Sequence, residues 1–103
     1  MWAQLITMRL KPGKEEDLPR LLEQMHSIEA PGSGLVRNLT MRDQADPSRV
    51  YVLVVFESEE AARARENDPS RTEKMQPARE LMSQMFDGAP EFVDLTVVAE
   101  MVP

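Results

Sequence analysis

Residues 50 to 71 read V-Y-V-L-V-V-F-E-S-E-E-A-A-R-A-R-E-N-D-P-S-R and join a strand to a capped helix. The first seven of these residues are apolar on both faces, a pattern typical of a central strand that is covered on both sides. Ser58 is a natural N-cap, and the acidic Glu59 and Glu60 suit the positive end of the helix dipole. Asn67-Asp68-Pro69 interrupts the helix. The stretch therefore predicts a strand, a capped helix and a helix break, in that order.

The flanking segments complete an order of four strands and two helical regions. Before this stretch, the sequence predicts a strand over 2–11, a helix from about residue 16 to the break at Pro31-Gly32-Ser33-Gly34, and a strand over 35–42. After it come a second helical piece and a last strand over 92–102. The order β-α-β-β-α-β is the ferredoxin-like plan. We therefore predict an α+β fold whose four-stranded antiparallel sheet carries its helices on one face.

Length and composition limit what kind of protein this chain is. Its 103 residues predict one domain over 1–103, and 42% hydrophobic with 29% charged residues is ordinary for a globular protein. The net charge of −6 disfavours nucleic-acid binding, which needs a basic surface. No apolar run is long enough for a membrane span and no signal peptide is visible, so we expect a cytoplasmic protein. Cysteine is absent, which excludes disulfides and thiolate metal sites.

Alternation along the strands predicts one uniformly apolar sheet face that packs on the helices. This face is predicted to carry Ile6, Met8, Leu10, Leu35, Leu39, Met41, Val93, Leu95, Val97, Ala99 and Met101. The other face is predicted to mix apolar and polar side chains, namely Leu5, Tyr51, Leu53, Val55, Val98, Arg9, Asn38, Arg42, Asp94, Thr96 and Glu100. Arg9 could then pair with Asp94 or Glu100 across the strands. Because this mixed face is too apolar for water, we predict a homodimer through it; a monomer with a wet sheet face is the alternative.

The assembled pattern resembles the antibiotic biosynthesis monooxygenase superfamily of dimeric α+β barrels. The residues that carry the resemblance are K-P-G-K-E-E (11–16), P-G-S-G (31–34), the D-x-x-D-P turn (43–47), F-E-S-E-E-A (56–61) and N-D-P-S-R (67–71). The resemblance covers essentially the whole chain and rests on the order and spacing of these motifs. It implies a ferredoxin-like fold, a barrel formed by two copies, and a pocket between sheet and helices.

Function within that superfamily is not uniform. Some members oxidise aromatic polyketides or quinols with dioxygen and no metal or flavin, and others degrade haem. Catalytic branches tend to carry an aromatic residue, often tryptophan, at the end of the third strand and a histidine a little way into the next helix. The resemblance puts Phe56 and Arg65 at these positions, and Ile6 where the haem-degrading branch has asparagine. Because arginine cannot ligate iron, the sequence argues against haem degradation.

Three polar residues are candidates for catalysis. His26, the only histidine, lies at the edge of the first helix's apolar stripe and could act as a base or sense pH; a half-buried, hydrogen-bonded histidine is the alternative. Asn38 is unusual within a strand and could stabilise a substrate oxyanion or form an interface hydrogen bond. Tyr51 could donate its hydroxyl to a quinone or phenol. No second ligand type clusters with His26 in the sequence, so we expect no metal site.

Four further residues are candidates for substrate binding. Trp2 and Phe56 could line an aromatic pocket, although large aromatics are more often core or interface. Met82 lies on a methionine-rich helix stripe that could adapt to an apolar ligand or simply fill the core. Arg65 could attract an anionic substrate at the pocket mouth, or belong to a solvated helix face held by ion pairs.

Two functions of different kinds are consistent with the sequence. The first is a cofactor-independent monooxygenase that oxidises a small aromatic or quinol substrate in a dry, apolar pocket. The second is a non-catalytic dimeric module that binds or senses a small apolar ligand and has lost the family's catalytic residues. The resemblance, Asn38, Tyr51 and the aromatic or methionine-lined positions favour the first function, whereas the missing histidine and tryptophan favour the second.

Overall fold

The computed structural model describes residues 1–103 and contains four strands and four helices. The strands are β1 (Trp2–Arg9), β2 (Leu35–Arg42), β3 (Arg49–Phe56) and β4 (Glu91–Thr96). The helices are α1 (Leu18–Ser27), α2 (Glu59–Glu66), α3 (Pro69–Lys74) and α4 (Gln76–Met85), with a 3₁₀ turn over Glu15–Asp17. The antiparallel sheet has the order β2-β3-β1-β4, which confirms the ferredoxin-like prediction. None of the helices is both long and apolar enough to cross a membrane.

The central helices begin where the sequence supplies a cap. The Ser58 hydroxyl accepts a hydrogen bond from the N–H of Ala61 at 3.1 Å and so starts α2. The Asp68 carboxylate accepts from the N–H of Ser70 at 3.0 Å, and Pro69 occupies the first turn of α3. The predicted break between the two helices is therefore confirmed.

The predicted facing of the sheet's side chains is correct for β1, β3 and Leu35, and wrong for the rest of β2. A bulge just after Leu35 shifts the register of β2, so that Leu39 lies opposite Leu53. Directly paired residues share a face, and a shift of one residue moves each later side chain to the other face. Leu39 and Met41 therefore lie on the open face, which is the face of Leu5 and Leu53 turned away from the helices. Asn38 turns towards the helices instead.

The strand β4 also differs from its prediction in facing. Phe92 lies opposite Ile6 on the helix side, and Val93 lies opposite Leu5 on the open face. The alternation then places Asp94 on the helix side. The sequence alone could not show this because a strand's facing depends on its register with β1.

The expected cross-strand ion pairs of Arg9 are wrong for the same reason. Arg9 Nη1 lies 3.3 Å from Asp46 Oδ2, in the turn before β3. Asp94 accepts instead from Arg63 Nη2 at 3.0 Å on the helix side. Glu100 lies beyond β4, where the chain has no regular secondary structure.

The last strand also ends earlier than predicted. β4 stops at Thr96 because its partner β1 begins at Trp2, and these two residues form the last pair of the ladder. Residues 97–103 have no regular secondary structure, and Val98 and Met101 are 94% and 92% exposed. The Val97 N–H still donates to the Met1 carbonyl at 3.3 Å, and the apolar residues after it extend from the sheet and are exposed.

Two clusters of buried side chains hold the helices on the sheet. The larger joins α1 and α4 to the sheet, with Val50 and Met85 fully buried in it. The smaller joins the start of β1 to the end of β3 and to α2, and consists of Trp2, Val54, Phe56 and Ala62. Only 14 of the 103 residues are buried. The core is small because a cavity, lined by residues of both clusters, lies beneath the helices.

The open face is more apolar than the sequence predicted. One row across the four strands consists entirely of apolar residues, in the order Leu39, Leu53, Leu5 and Val93. Leu39 and Val93, on the two edge strands, keep 44% and 48% of their surface exposed. A contiguous apolar surface of this kind marks an interaction site more often than a solvated face.

Candidate functional site

A cavity of about 780 Å³ separates the helices from the covered face of the sheet. Its floor consists of alternate residues of β1 and β3, namely Trp2, Gln4, Ile6, Met8, Val50, Val52, Val54 and Phe56. Seventeen of its 28 lining residues are hydrophobic. This size and lining suit a small organic ligand with few polar groups.

An aromatic pair forms part of the cavity wall. Trp2 at the start of β1 lies opposite Phe56 at the end of β3, and their ring centroids are 6.2 Å apart with the planes tilted by 48°. The guanidinium carbon of Arg63 lies 5.1 Å from the Trp2 ring centroid, and that of Arg65 lies 5.3 Å from the Phe56 centroid. Cations at this distance are attracted to aromatic faces, so both arginines of α2 help to fix the rings.

Arg63 is held by three carboxylates. Its Nη atoms lie 3.1 Å from Glu66, 3.3 Å from Glu59 and 3.0 Å from Asp94. The bond to Glu66, followed by those to Asp94 and Glu59, raises the pKa of the Arg63 guanidinium. Asp94 also accepts from Gln4 Nε2 at 3.0 Å. These contacts tie α2 to β1 and β4 and leave Arg63 with no uncompensated charge.

Arg65 forms a two-point ion pair with Glu29, which follows α1. Arg65 Nε donates to Glu29 Oε1 at 2.9 Å and Nη2 donates to Oε2, while Ser33 Oγ donates to Oε1 at 3.1 Å. Burial alone raises the pKa of the Glu29 carboxyl, but the bonds and charge of Arg65 outweigh this effect and lower that pKa. The charge of Arg65 is therefore balanced within the protein.

The lowered pKa of Glu29 gives a stability prediction. Glu29→Gln is expected to reduce the free energy of unfolding by about 1–2 kcal/mol at pH 7, because Arg65 loses a partly screened charge partner. The native carboxyl has the lower pKa, so its contribution is present above the ordinary value of 4.5 and is lost as the pH falls through the native pKa. Urea unfolding at pH 7 and at about pH 3 measures the difference.

Glu23→Gln is the matched control for Glu29→Gln, because Glu23 also lines the cavity but is exposed and makes no ion pair. We expect it to change the free energy of unfolding by less than about 0.5 kcal/mol. A Glu29→Gln loss that is equally large at both pH values would contradict the assigned cause.

Six of the seven predicted site residues lie in the lining of this cavity: Trp2, His26, Asn38, Phe56, Arg65 and Met82. Asn38 is exposed, and its side-chain amide has no hydrogen-bond partner within the protein. His26 is exposed on α1. Tyr51 lies on the open face instead, where its hydroxyl donates to Asp43 Oδ2 at 3.1 Å. It therefore plays no part in the site proposed below.

Several polar residues of the cavity were not singled out as site residues from the sequence. For Gln4 a signal existed, because it is a polar residue at an inward position of an otherwise apolar strand. Glu29 gave no local signal, since its partner Arg65 lies 36 residues away. Arg71 belongs to the N-D-P-S-R motif (67–71), and nothing in the sequence indicated that it lines a cavity.

A second, more polar cleft of about 460 Å³ lies between the P-G-S-G loop, α2 and α3. Glu29, Arg65 and Arg71 line both this outer cleft and the cavity. These three side chains therefore separate the two spaces.

Comparison with models of protein families shows which family the chain belongs to. Residues 1–76 match the model of the antibiotic biosynthesis monooxygenases. The chain belongs to this family. No curated protein matches the sequence of this monooxygenase-family chain.

Solved structures share its fold. A variant of MhuD with two manganese protoporphyrin IX molecules bound per active site matches with a TM-score of 0.81, at 16% identity and over 100% of both chains. A candidate antibiotic biosynthesis monooxygenase from Caulobacter crescentus CB15 matches with a TM-score of 0.77, at 18% identity, over 95% of this chain and 90% of that chain. Another candidate of this kind, from Chloroflexus aurantiacus J-10-fl, matches with a TM-score of 0.67, at 21% identity, over 99% of this chain and 98% of that chain. At these identities the likeness concerns the fold.

The porphyrin in MhuD raises the question of whether this family member's own residues fit a haem. Arg65 stands where the resemblance places the helix histidine; it is paired with Glu29 and has no lone pair to offer iron. His26 lines the cavity from α1, not from α2, where the resemblance places the histidine. The α2 position of the resemblance therefore offers no iron ligand in this chain.

Proposed function

We propose that this protein is a cofactor-independent monooxygenase that oxidises a small aromatic or quinol substrate in the cavity. The observation that carries the proposal is the mostly apolar chamber of about 780 Å³, which combines the Trp2–Phe56 pair with the unbonded amide of Asn38. The aromatic pair suits a planar ring, and the mostly apolar lining suits an apolar substrate. The amide suits an oxygen atom on which negative charge develops.

In the proposed reaction the anion of the substrate itself reduces dioxygen. With anthrone, the ring methylene loses a proton to give an enolate, and its carbon forms a bond to dioxygen. The O–O bond then breaks, so that one oxygen atom becomes the new carbonyl and the other leaves as water; anthrone and dioxygen give anthraquinone and water. Asn38 Nδ2 would donate to the enolate oxygen, and His26 at the cavity would accept the methylene proton.

Trp2 supports a catalytic function over simple ligand binding. The family's catalytic branches tend to carry tryptophan at the end of the third strand, where this chain has Phe56. Trp2 comes from the neighbouring strand but lies directly opposite Phe56, with the two rings in the same wall. We infer that the indole missing from β3 is supplied by β1. On α2 no residue replaces the helix histidine, so the proposed reaction relies on His26 of α1 as its base. Ligand binding without turnover is the outcome that the missing α2 histidine would favour.

Oxygen uptake by chelator-treated protein tests the proposed activity. We expect uptake above the buffer rate with anthrone or menadiol, and none with anthraquinone, which has no proton to lose. Thermal stabilisation by these ring compounds without uptake would support the ligand-binding alternative. Buffer rates and unchanged thermal stability across the panel would contradict both functions.

We also propose that two copies pack through the open face, as the family resemblance implies. The row of Leu39, Leu53, Leu5 and Val93 supplies an apolar surface for a two-fold contact. Residues 97–103, which follow the edge strand β4, also expose apolar side chains that a second copy could contact.

Leu39→Glu is expected to weaken the dimer at least tenfold, because the two-fold axis would bury two carboxylates in an apolar contact. The Leu39 side chain is exposed in the single chain, so folding should be preserved. Leu22→Glu on α1, at a residue 37% exposed, is the control outside the open face. Light scattering should give twice the chain mass of 11.7 kDa for the wild type and for Leu22→Glu. A monomeric wild type, or an unchanged Leu39→Glu dimer, would contradict the proposal.

A further inference from the structure

Arg71 of α3 is the cavity arginine that forms no ion pair with a carboxylate. Arg63 is bonded to three carboxylates and Arg65 is paired with Glu29, whereas Arg71 makes no ion pair within 4.0 Å. The Nε atom of Arg71 is buried and has no hydrogen-bond partner. A half-buried guanidinium with an unused donor is rare, because such a donor has lost water without gaining a protein acceptor.

The surroundings of Arg71 disfavour its charge. Burial lowers the pKa of its guanidinium, and the charges of Arg65 and Arg79 lower that pKa further, while Glu29 and Asp68 act in the opposite direction. Arginine nevertheless stays protonated at neutral pH, because its ordinary pKa is so high. The cation at residue 71 therefore reduces the stability of the folded chain, as groups kept for binding often do.

The position of Arg71 gives this charge access to a ligand. It lies in the wall between the cavity and the outer cleft, beside the Glu29–Arg65 pair. The charges of these three side chains sum to +1, and Asp68, which also lines the outer cleft, acts on Arg71 through its charge and not through an ion pair. The other charged groups of the cavity lining are Arg63 with its partner Glu66, and the exposed Glu23.

We propose that Arg71 binds an anionic oxygen group, such as a carboxylate or phenolate, on a ligand whose apolar rings occupy the cavity. The Nη groups of the guanidinium can donate to such an anion, and the anion then pairs with the positive charge of Arg71. This inference rests on the proposed function, because it names the substrate class of the same cavity: an aromatic acid or phenol in preference to a neutral ring.

Two fluorescent probes with the same rings distinguish the contribution of the anionic group to binding from that of the apolar rings. 1-Anilinonaphthalene-8-sulfonate carries an anionic oxygen group, and N-phenyl-1-naphthylamine lacks it. Arg71→Met is expected to raise the Kd of the anionic probe about tenfold and to leave that of the neutral probe within about twofold. Arg71→Lys keeps the charge and should stay within about threefold of wild type for both probes.

Lys74→Met is the matched control, since Lys74 lies on the same helix and lines the outer cleft but not the cavity. It should leave both affinities unchanged. Thermal unfolding distinguishes a binding arginine from a structural one, because the loss of a structural arginine would lower the Tm. Arg71→Met should keep or raise the Tm, because it removes an unpaired, half-buried cation.

Three results would overturn the assignment of Arg71: equal losses for both probes, equal losses in Arg71→Met and Lys74→Met, or a Tm lowered by Arg71→Met. A wild-type protein that binds the neutral probe as tightly as the anionic one would also overturn it, while leaving the proposed cavity function intact. If neither probe binds the wild type, the ligand-binding role of the cavity itself is contradicted.

Discussion

Gly34→Ala is expected to lower the free energy of unfolding by about 3–5 kcal/mol. Gly34 has a φ of +85°, in the left-handed region that residues with a Cβ adopt only with strain. A Cβ at this position would also lie 2.6 Å from the Cβ of Ala61 on α2. Because that atom is fixed to a helix, α2 would have to move away from the start of β2. At about 4–8 °C per kcal/mol, the Tm should fall by more than about 10 °C.

Gly32→Ala separates the two causes. Gly32 has a similar φ of +80°, but an added Cβ there would meet no atom within 4 Å. We expect a loss of only about 1–2 kcal/mol from backbone strain. Urea unfolding of both variants measures the difference. Equal losses of unfolding free energy in the two variants would show that the close approach of Gly34 to α2 has no energetic consequence. In that case α2, with its arginines, could shift relative to the aromatic pair.

Asn38→Ala is expected to reduce kcat for anthrone oxidation by about 10²–10³-fold, the typical effect of removing one donor to a developing oxyanion. The loss should appear mainly in kcat, because the bond strengthens as charge moves onto the substrate oxygen. Stability should change by less than about 0.5 kcal/mol, since Asn38 is exposed and bonds to no protein group.

Tyr51→Phe is the informative control for Asn38→Ala. From the sequence both residues were catalytic candidates, but the structure places Tyr51 on the open face with its hydroxyl on Asp43. Its replacement by phenylalanine should leave kcat within about twofold. An Asn38→Ala variant with wild-type kcat, or one whose kcat falls only in step with its stability, would remove Asn38 from the proposed mechanism.

The elements of the fold were predictable because their start and stop signals are local. The Ser58 cap, the Pro69 break and the turn residues before each strand act within one or two residues of the boundary that they set. Such signals can be read from a few neighbouring residues without knowledge of the tertiary structure. The family resemblance added the order of the elements, and the structure agrees with both.

Which side chains of β2 and β4 face the helices was not predictable from the sequence. Alternation shows that every second residue shares a face, but the register with the neighbouring strand determines which set faces the helices. The bulge after Leu35 reverses the choice for every later residue of β2. That reversal brings Asn38 into the cavity and carries Leu39 out of it. The sequence therefore predicted an apolar contact surface but assigned part of it to the wrong side chains.

The polar contacts of the site were equally hidden, since they join residues far apart in the chain. Glu29 and Arg65 are 36 residues apart, and Arg63 and Asp94 are 31 apart. Local spacing on α2 indicated a solvated face of ion pairs. In the structure that face includes Arg63 and Arg65, each of which lies over an aromatic ring in the wall of the cavity.

The source of the oxygen in the product tests the proposed monooxygenase activity most directly. Chelator-treated protein would be incubated with anthrone under isotope-labelled dioxygen, and the anthraquinone analysed by mass spectrometry. We predict one labelled oxygen atom per product molecule, formed faster than in buffer and more slowly with Asn38→Ala. Anthraquinone formed no faster than in buffer, or formed without label, would contradict the proposed activity.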